Sequence, residues 1–299
     1  MKNKFTFDFR FSIFVFVMLF AIGCNSKKSE IIFGKSYTDD IGTQITLAAT
    51  PQKIVSLAPN ITEIIFALHA EDHLSGVSDY CNYPDGVKQK TKVGGIINPN
   101  LEAIVTLQPD LVFATADGNP KPTVEKLNAM NIPVFTFNTT NMSELFESIK
   151  TIGKITGHTK EADSVVFSMV QGLTHLKKVE GQPSIFLLLN RVPIISVSSG
   201  SFLNEILNLS GGRNSVPEMK ERYPTINREE VLNLNPDFII IPEKEYQPLP
   251  EKEYQDFESL STVSAYKNKK IFYVHPDLIL RPGPRLVQGI IQLNTILSQ

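Results

Sequence analysis

Residues 100–113, NLEAIVTLQPDLVF, carry the pattern that decides the fold. Asn100 is a good helix cap, apolar residues follow it at helical spacing, and Pro109 ends the helix after two turns. The apolar run that starts at Leu111 then predicts a buried strand. A short helix that leads directly into a buried strand is typical of proteins in which helices cover parallel sheets.

The same pattern occurs again later in the chain. Residues 227–240, NREEVLNLNPDFII, repeat the cap, the two-turn helix, the proline and the strand. A shorter match pairs Glu63-Ile64-Ile65 with Glu205-Ile206-Leu207. Because the two matches occur in the same order, they indicate two similar lobes rather than one large sheet.

The segments around the repeat alternate between strands and helices, so we predict an α/β fold. Its two similar lobes have mainly parallel sheets and are joined by a single long α-helix, with a ligand cleft between the lobes. Asn60 followed by Glu63 also predicts a capping box at the start of a helix. Strands are predicted at residues 54–57, 74–77, 111–114, 134–137 and 271–274, helices at 121–130, 160–178 and 286–297, and a β-hairpin at 36–47.

The first residues are typical of an export signal. Basic residues precede an apolar stretch at 11–22, which at about 12 residues is too short to span a bilayer. The stretch ends in AIGC, residues 21–24, which resembles the lipobox of bacterial lipoproteins, although alanine stands where leucine is usual. We expect Cys24 to be lipidated and the exported protein to be anchored to a membrane, facing the periplasm or the outer face of the cell membrane. A plain signal peptide with a chance cysteine is the alternative.

The predicted organisation has five parts. Gly157 separates two helical stretches, and the second of them is long enough to connect the lobes. The parts are a lipoprotein signal peptide at residues 1–23, a flexible tether at 24–35, an N-terminal α/β lobe at 36–157, a linker helix at 158–180 and a C-terminal α/β lobe at 181–299.

The composition excludes several classes of function. The chain of 299 residues is 42% hydrophobic and 20% charged, as in an ordinary globular protein, and its formal net charge of −2 leaves no basic surplus for nucleic acid. Two cysteines exclude a four-cysteine zinc site, and His69 and His73 lack a third ligand nearby. The common catalytic signatures are absent from the sequence. We expect no enzymatic activity, no metal site and no resident cofactor.

Three tyrosines are candidates for contacts with a ligand. Tyr80 and Tyr83 follow the predicted strand at 74–77, and Tyr223 precedes Pro224 in the second lobe. Side chains at the carboxyl ends of parallel strands face a cleft, and tyrosine offers a flat apolar ring with a hydroxyl group. The alternative is that these rings only cover the lobes.

The loop RPGPR, residues 281–285, is a second candidate. Its prolines stiffen the loop, so Arg281 and Arg285 are held beside the terminal helix, where they suit a phosphate or a carboxylate. The alternative is a structural ion pair of these arginines with Asp277 or Asp237.

Glu102 and Glu229 occupy matched positions in the repeat, each in the first turn of its helix. The helix dipole favours an acid at this position, which is one explanation. The dipole does not explain why both lobes use the same position. Two exposed acids, one in each lobe, suit a partner with two-fold symmetry that presents basic residues at matching distances.

Several motifs resemble those of the substrate-binding proteins of iron-siderophore and vitamin B12 importers. The motifs cover nearly all of the chain after the signal peptide and keep their order, so the resemblance is specific at the level of the family. They are IVSLAPNITEI at residues 54–64, GVSDYCNYP at 76–84, VGG at 93–95 and the stretch 98–109 in the first lobe, and GSF at 200–202, LSGGRN at 209–214, YP at 223–224 and RPGPR at 281–285 in the second.

The resemblance implies two α/β lobes joined by one helix, no enzymatic activity, and delivery of a ligand to the permease dimer of an ABC importer with its ATPase. The loop around Tyr80 and the RPGPR loop look most like the cobalamin branch of the family. By that resemblance, Tyr80 and Tyr223 contact the corrin, while Asp277 and Arg281 meet polar groups at the mouth of the cleft.

Glu102 and Glu229 fall on the acids that in this family dock onto arginines of the permease.

The sequence differs from the cobalamin branch in one respect. Cobalamin binders can place a tryptophan near the positions of Ile96, Thr115 and Leu278, and this chain has none there. Cobalamin or a related corrinoid is the leading ligand, and a ferric siderophore or haem is the alternative. A lipoprotein enzyme or an interaction module on this scaffold is a distant third. We expect a monomer.

Overall fold

The computed structural model of the protein describes residues 34–299. The predicted signal peptide at 1–23, Cys24 and the tether as far as residue 33 lie outside the described residues. The first described elements are the strands β1 (Lys35–Thr38) and β2 (Gln44–Leu47). They pair antiparallel and confirm the predicted hairpin, whose turn is closed where Asp39 accepts the N–H of Thr43 at 2.6 Å.

A five-stranded parallel sheet forms the first lobe. Its strands are β3 (Ile54–Ser56), β4 (Leu74–Val77), β5 (Thr91–Lys92), β6 (Leu111–Thr115) and β7 (Val134–Phe137). Their order in the sheet is β5-β4-β3-β6-β7, and every pair of neighbours is parallel. The strands β3, β6 and β7 are almost wholly buried, as is usual where helices cover both faces of a parallel sheet.

The helices of the first lobe include the first copy of the repeat. The helix of that copy, residues 101–106, begins after Asn100, whose side chain accepts the N–H of Ala103 at 3.1 Å, as predicted. The helices are α1 (Pro59–Ala67), α2 (Leu101–Thr106), α3 (Lys121–Ala129) and α4 (Met142–Thr156), with short 3-10 turns at Glu71–His73 and Asp85–Gln89.

A sharp turn separates α4 from the helix that connects the lobes, α5 (Thr159–Thr174). Gly157 ends α4 with a φ of 85°, a left-handed conformation that glycine adopts without strain. The 16 residues of α5 span about 24 Å. The helix ends four residues before the predicted position 178.

The second lobe repeats this architecture with an antiparallel edge strand. Its strands are β8 (Ser184–Leu187), β9 (Asn190–Arg191), β10 (Ile194–Ile195), β11 (Arg213–Asn214), β12 (Phe238–Pro242), β13 (Gln247–Pro248) and β14 (Ile271–Val274). Five of them form the sheet in the order β11-β8-β12-β14-β13, in which only β13 runs antiparallel, while β9 and β10 form a separate hairpin.

The second copy of the repeated helix carries a complete capping box. Asn227 accepts the N–H of Glu230 at 2.9 Å, and the Glu230 carboxylate accepts the N–H of Asn227 at 2.7 Å. None of the helices within residues 34–299 is both long and apolar enough to cross a membrane. The helices of this lobe are α6 (Phe202–Leu209), α7 (Arg228–Leu234), α8 (Ser264–Lys267), α9 (Pro276–Ile279) and α10 (Leu286–Leu297), with a 3-10 segment at Glu251–Leu260.

One apolar core continues from the first lobe into the second. It contains Phe113 and Phe137 of the first sheet, Ile185 and Phe238 of the second, and buried side chains of α4, α5 and α10 between them. Moving the lobes apart would expose part of this core to water, which opposes a wide opening. The two predicted lobes are therefore packed together as well as connected.

We predict that Gly153→Ala destabilises the contact between α4 and α5. A β-carbon at residue 153 would lie 2.5 Å from the β-carbon of Ala162 and 2.8 Å from the carbonyl oxygen of His158, so the two helices would have to move apart. Overpacking of this kind lowers the free energy of unfolding by about 1–3 kcal/mol, which urea denaturation measures.

Gly200→Ala is the control, because its β-carbon would meet only the Ser198 hydroxyl, at 3.8 Å. The control should leave the urea midpoint unchanged. Equal losses of stability in the two variants would contradict the close packing of these helices.

Candidate functional site

A cavity of 510 Å³ lies between the lobes, at the carboxyl ends of the parallel strands. Ala58 follows β3, Thr115 ends β6 and Phe137 ends β7, while Leu189 of the second lobe follows β8. The carboxyl edge of an open parallel sheet is where α/β proteins bind ligands. The volume lies within the range of about 300–1,000 Å³ that small-molecule sites occupy.

The lining of the cleft is mostly apolar and includes a tyrosine from each lobe. Tyr80 and Tyr223 both line the cavity and both remain exposed. Partial burial raises the pKa of Tyr223, and the nearby Asp117 carboxylate raises it further while Arg222 lowers it. Tyr223 is therefore a neutral hydrogen-bonding group at physiological pH. Contact of either tyrosine with a ligand stays a prediction.

Tyr83 and Asp277 are not among the residues that line this cavity. The ring of Tyr83 lies against the guanidinium of Arg285, whose central carbon is 4.0 Å from the ring centroid. Asp277 forms an ion pair with Arg281 at 2.9 Å. Both residues therefore belong to the charged cluster beside the cleft rather than to its lining.

The centre of that cluster is Glu63, whose side chain is only 2% exposed. Arg285 donates to both carboxylate oxygens, with Nε 2.8 Å from Oε2 and Nη2 2.6 Å from Oε1. Arg281 donates to Oε1 at 3.1 Å. Glu63 lies on α1 of the first lobe, whereas both arginines precede α10 of the second, so these bonds link the lobes. Paired, bidentate contacts are what a buried carboxylate requires.

Arg281 also holds the loop that carries Tyr80. It donates to the side-chain oxygen of Asn82 at 2.7 Å and to the carbonyl oxygen of Tyr80 at 3.4 Å. Asn82 in turn donates to Asp277 at 3.2 Å. Burial of Arg285 opposes its charge, but the bonds with Glu63 and the nearby Asp277 outweigh that effect and raise its pKa. Arg285 therefore remains charged.

The predicted capping box at Asn60 and Glu63 was wrong. The helix begins at Pro59, and its N-cap is Ala58, which makes no side-chain cap. Asn60 instead donates to the carbonyl oxygen of Pro282 at 3.4 Å, and Glu63 binds the arginines. Charged partners from the other lobe outcompete a local hydrogen bond to a backbone N–H.

Glu205, which matches Glu63 in the sequence repeat, also contacts the other half of the chain. Its carboxylate accepts the backbone N–H of Met142, the first residue of α4, at 2.8 Å. The N–H groups of a first helical turn have no partner within the helix, so a carboxylate is favoured there. Sequence reasoning did not assign these two glutamates to the contact between lobes, although their matched positions were the available signal.

A further ion pair crosses between the lobes at the surface. Arg222 lies 3.2 Å from Asp117, and both side chains are exposed. The predicted alternative partner of the arginines, Asp237, is engaged elsewhere, because it accepts the N–H of Ser184 at 2.8 Å. The other predicted partner, Asp277, does bind Arg281.

Glu102 and Glu229 are exposed in the first turns of α2 and α7. Within the described part of the chain, neither side chain takes part in an ion pair. Three positions were named above because cobalamin binders can place a tryptophan there. Two of them, Ile96 and Thr115, line the cleft, whereas the third, Leu278, packs against the apolar core.

Comparisons with known proteins agree with this geometry. Residues 54–278 match the periplasmic binding protein family, and the chain belongs to that family. An uncharacterized ABC transporter substrate-binding lipoprotein, YvrC of Bacillus subtilis, is 31% identical over 90% of this chain and 87% of its own length. A vitamin B12-binding protein of Vibrio cholerae is 28% identical over 83% of this chain and 89% of its own.

A solved structure shows the same two-lobed fold. The periplasmic heme binding protein HutB of Vibrio cholerae superposes with a TM-score of 0.72 at 22% identity, over 83% of this chain and 99% of its own. At that identity the likeness concerns the fold and not the ligand.

We predict that Glu63→Gln destabilises the protein strongly. The substitution leaves Arg281 and Arg285, which are 16% and 14% exposed, without their shared carboxylate. Removing one partner from a buried cluster lowers the free energy of unfolding by about 3 kcal/mol. Urea denaturation without ligand measures the change.

Asp117→Asn is the matched control, because it removes the exposed ion pair between the same two lobes. Exposed pairs contribute at most about 1 kcal/mol. If the control loses as much stability as Glu63→Gln, burial does not govern the strength of these contacts.

Proposed function

We propose that this protein binds cobalamin or a related corrinoid in the cleft and delivers it to the permease dimer of an ABC importer, which works with its ATPase. The observation that carries the proposal is the lining of the cleft. Tyr80 and Tyr223 offer aromatic rings from opposite lobes. The lining contains one negatively charged residue, Asp117, and one positively charged residue, Arg281. A large ligand that is flat and carries little net charge suits such a surface.

The charge balance favours a corrinoid over an anionic iron complex. Arg281 is neutralised by Glu63 and Asp277, and Arg222, beside the cleft, is paired with Asp117. A strongly basic cleft, which a multiply charged anion would need, is therefore not supported. The relative that is 28% identical carries the name vitamin B12-binding protein, which supports the same choice.

Haem or a ferric siderophore is the second candidate. The specific observation in its favour is the pair of exposed tyrosines in the cleft, because a tyrosine oxygen can bind ferric iron. A ligand of this kind would be cargo and not a resident cofactor. Tyr223, whose pKa is raised, would have to lose its proton to bind iron strongly.

The proposed mechanism is capture without chemistry, so we infer no enzymatic activity. The shared core and the buried cluster at Glu63 keep the lobes close, which leaves a largely preformed cleft. Release then requires the permease to move the lobes, with Glu102 and Glu229 as its points of attachment. We further propose that Cys24 carries the lipid anchor that holds the monomer at the membrane.

We predict that purified protein binds cyanocobalamin and that Tyr80→Ala and Tyr223→Ala each weaken binding by about ten-fold or more. An aromatic contact buried by a ligand contributes about 1.4 kcal/mol or more, which corresponds to that factor. Calorimetric titration measures the affinity. Tyr246→Ala is the control, because Tyr246 lies outside the lining of the cleft.

Haemin and a ferric hydroxamate siderophore are titrated in parallel, with visible spectra recorded. Binding of haemin alone would replace the corrinoid with the second candidate. Binding of none of the three compounds would contradict both assignments.

We predict that Glu102→Arg and Glu229→Arg abolish uptake while binding of the ligand is unchanged. Reversing an acid that pairs with a permease arginine creates like-charge repulsion and costs about ten-fold or more in affinity at each site. Uptake of radiolabelled cobalamin by cells is the measurement. Glu125→Arg, at an exposed acid of α3, is the control. Normal uptake by the double variant would show that these acids are not docking residues.

A further inference from the structure

Two apolar side chains stand out at the surface of the described residues. Ile97 is 78% exposed and Val192 is 89% exposed, the highest values among the large hydrophobic side chains of residues 34–299. Isolated apolar residues at a protein surface are common and by themselves need no explanation. What these two residues share is their position, because each lies on a loop near the start of a helix that carries one of the two candidate docking acids.

Ile97 lies at the tip of a closed loop directly before the helix of Glu102. Gly94 and Pro99 form an antiparallel bridge across the base of the loop, and Asn100 donates its N–H to the Val93 carbonyl oxygen at 2.8 Å. Gly94 has a φ of 90°, and a β-carbon there would lie 2.7 Å from the backbone nitrogen of Asn100. The backbone therefore holds the tip in one position next to the N-terminus of α2.

The neighbour of Ile97 in the sequence points the other way. Ile96 lines the ligand cleft, and its carbonyl oxygen accepts the side-chain N–H of Asn119 at 2.9 Å. Ile97 is not among the residues that line the cleft.

Val192 lies at the tip of the β9–β10 hairpin beside the helix of Glu229. The side chain of Asn190 donates to the Pro193 carbonyl oxygen at 2.8 Å and closes the tip. The N–H of Ile226, directly before the cap of α7, donates to the Ile194 carbonyl oxygen at 2.9 Å. The hairpin is thus tied to the start of the helix.

A cavity of 450 Å³ confirms how close the hairpin is to that helix. Val192 and Val231 both line it, so the hairpin lies against the buried face of α7, the helix whose first turn carries Glu229. Each lobe therefore presents the same two features: a free acid in the first turn of an asparagine-capped helix, and an exposed β-branched side chain on a loop that is hydrogen-bonded close to the start of that helix.

We propose that Ile97 and Val192 are the apolar contacts of the surface that docks onto the permease, each beside the acid of its lobe. This inference rests on the proposed function. The partner that fits is a dimer with two-fold symmetry, each subunit of which presents a basic residue beside an apolar depression. The acids give orientation and a fast encounter, whereas the apolar side chains slow dissociation, since burying them removes apolar surface from water.

The size of the effect follows from the side chains. Complete burial of an isoleucine or a valine is enough to change an affinity by about ten-fold. Because the loops are held by backbone bonds, little conformational entropy is lost on docking, so most of that gain is retained. Because the two residues lie in different lobes, their effects on the free energy of binding should add, so together they should change the affinity about 100-fold.

The test measures binding of the full-length lipoprotein to a permease–ATPase complex purified from the same cells and reconstituted in nanodiscs. We expect Ile97→Ser and Val192→Ser each to raise the dissociation constant about ten-fold, mainly through faster dissociation, and the double variant about 100-fold. Binding of cyanocobalamin and the melting temperature should be unchanged. Phe167→Ser, at an exposed apolar residue of the connecting helix, is the matched control.

The outcomes separate this inference from the proposed function. If Glu102→Arg and Glu229→Arg abolish binding while both serine variants bind like the wild type, the apolar contacts are refuted and the docking acids stand. If Phe167→Ser weakens binding as much as the serine variants, the effect is general and the inference is also refuted. If the wild type binds no permease complex, the proposed function fails, and this inference fails with it.

Discussion

The buried carboxylate of Glu63 is the constraint on which the arrangement of the lobes depends. Removing a carboxylate from water is costly unless opposite charges and hydrogen-bond donors surround it. Its cationic partners, Arg281 and Arg285, come from the loop that leads into the last helix. Glu63 therefore has its partners only when that loop of the second lobe is docked on the first, and the two lobes are fixed together.

The same cluster shapes the cleft. Arg281 binds the carbonyl oxygen of Tyr80 and the side chain of Asn82, so one guanidinium both neutralises Glu63 and positions the loop that carries the cleft tyrosine. With the continuous apolar core behind it, this arrangement favours a cleft that exists before the ligand arrives. Such a cleft loses little affinity to conformations that cannot bind.

Local rules predicted most of the helices and strands and failed where a distant partner was stronger. Asn100 and Asn227 cap their helices as their sequences indicate, because a cap needs only the next three residues. The same rule gave the wrong partner for Glu63, since two arginines from the other lobe bind it instead. The match between Glu63 and Glu205 was the one sign in the sequence of a shared role. Both glutamates reach the other half of the chain.

The class of fold, the internal repeat and the positions of the capped helices could all be predicted from the amino-acid sequence. This was possible because periodicity, caps and prolines act over a few neighbouring residues. The packing of the lobes, in contrast, brings Tyr80 and Tyr223 to one cleft and places Tyr83 against Arg285. Contacts between residues as far apart in the chain as Glu63 and Arg281, 218 positions, depend on how the lobes pack and leave no periodic pattern in the sequence.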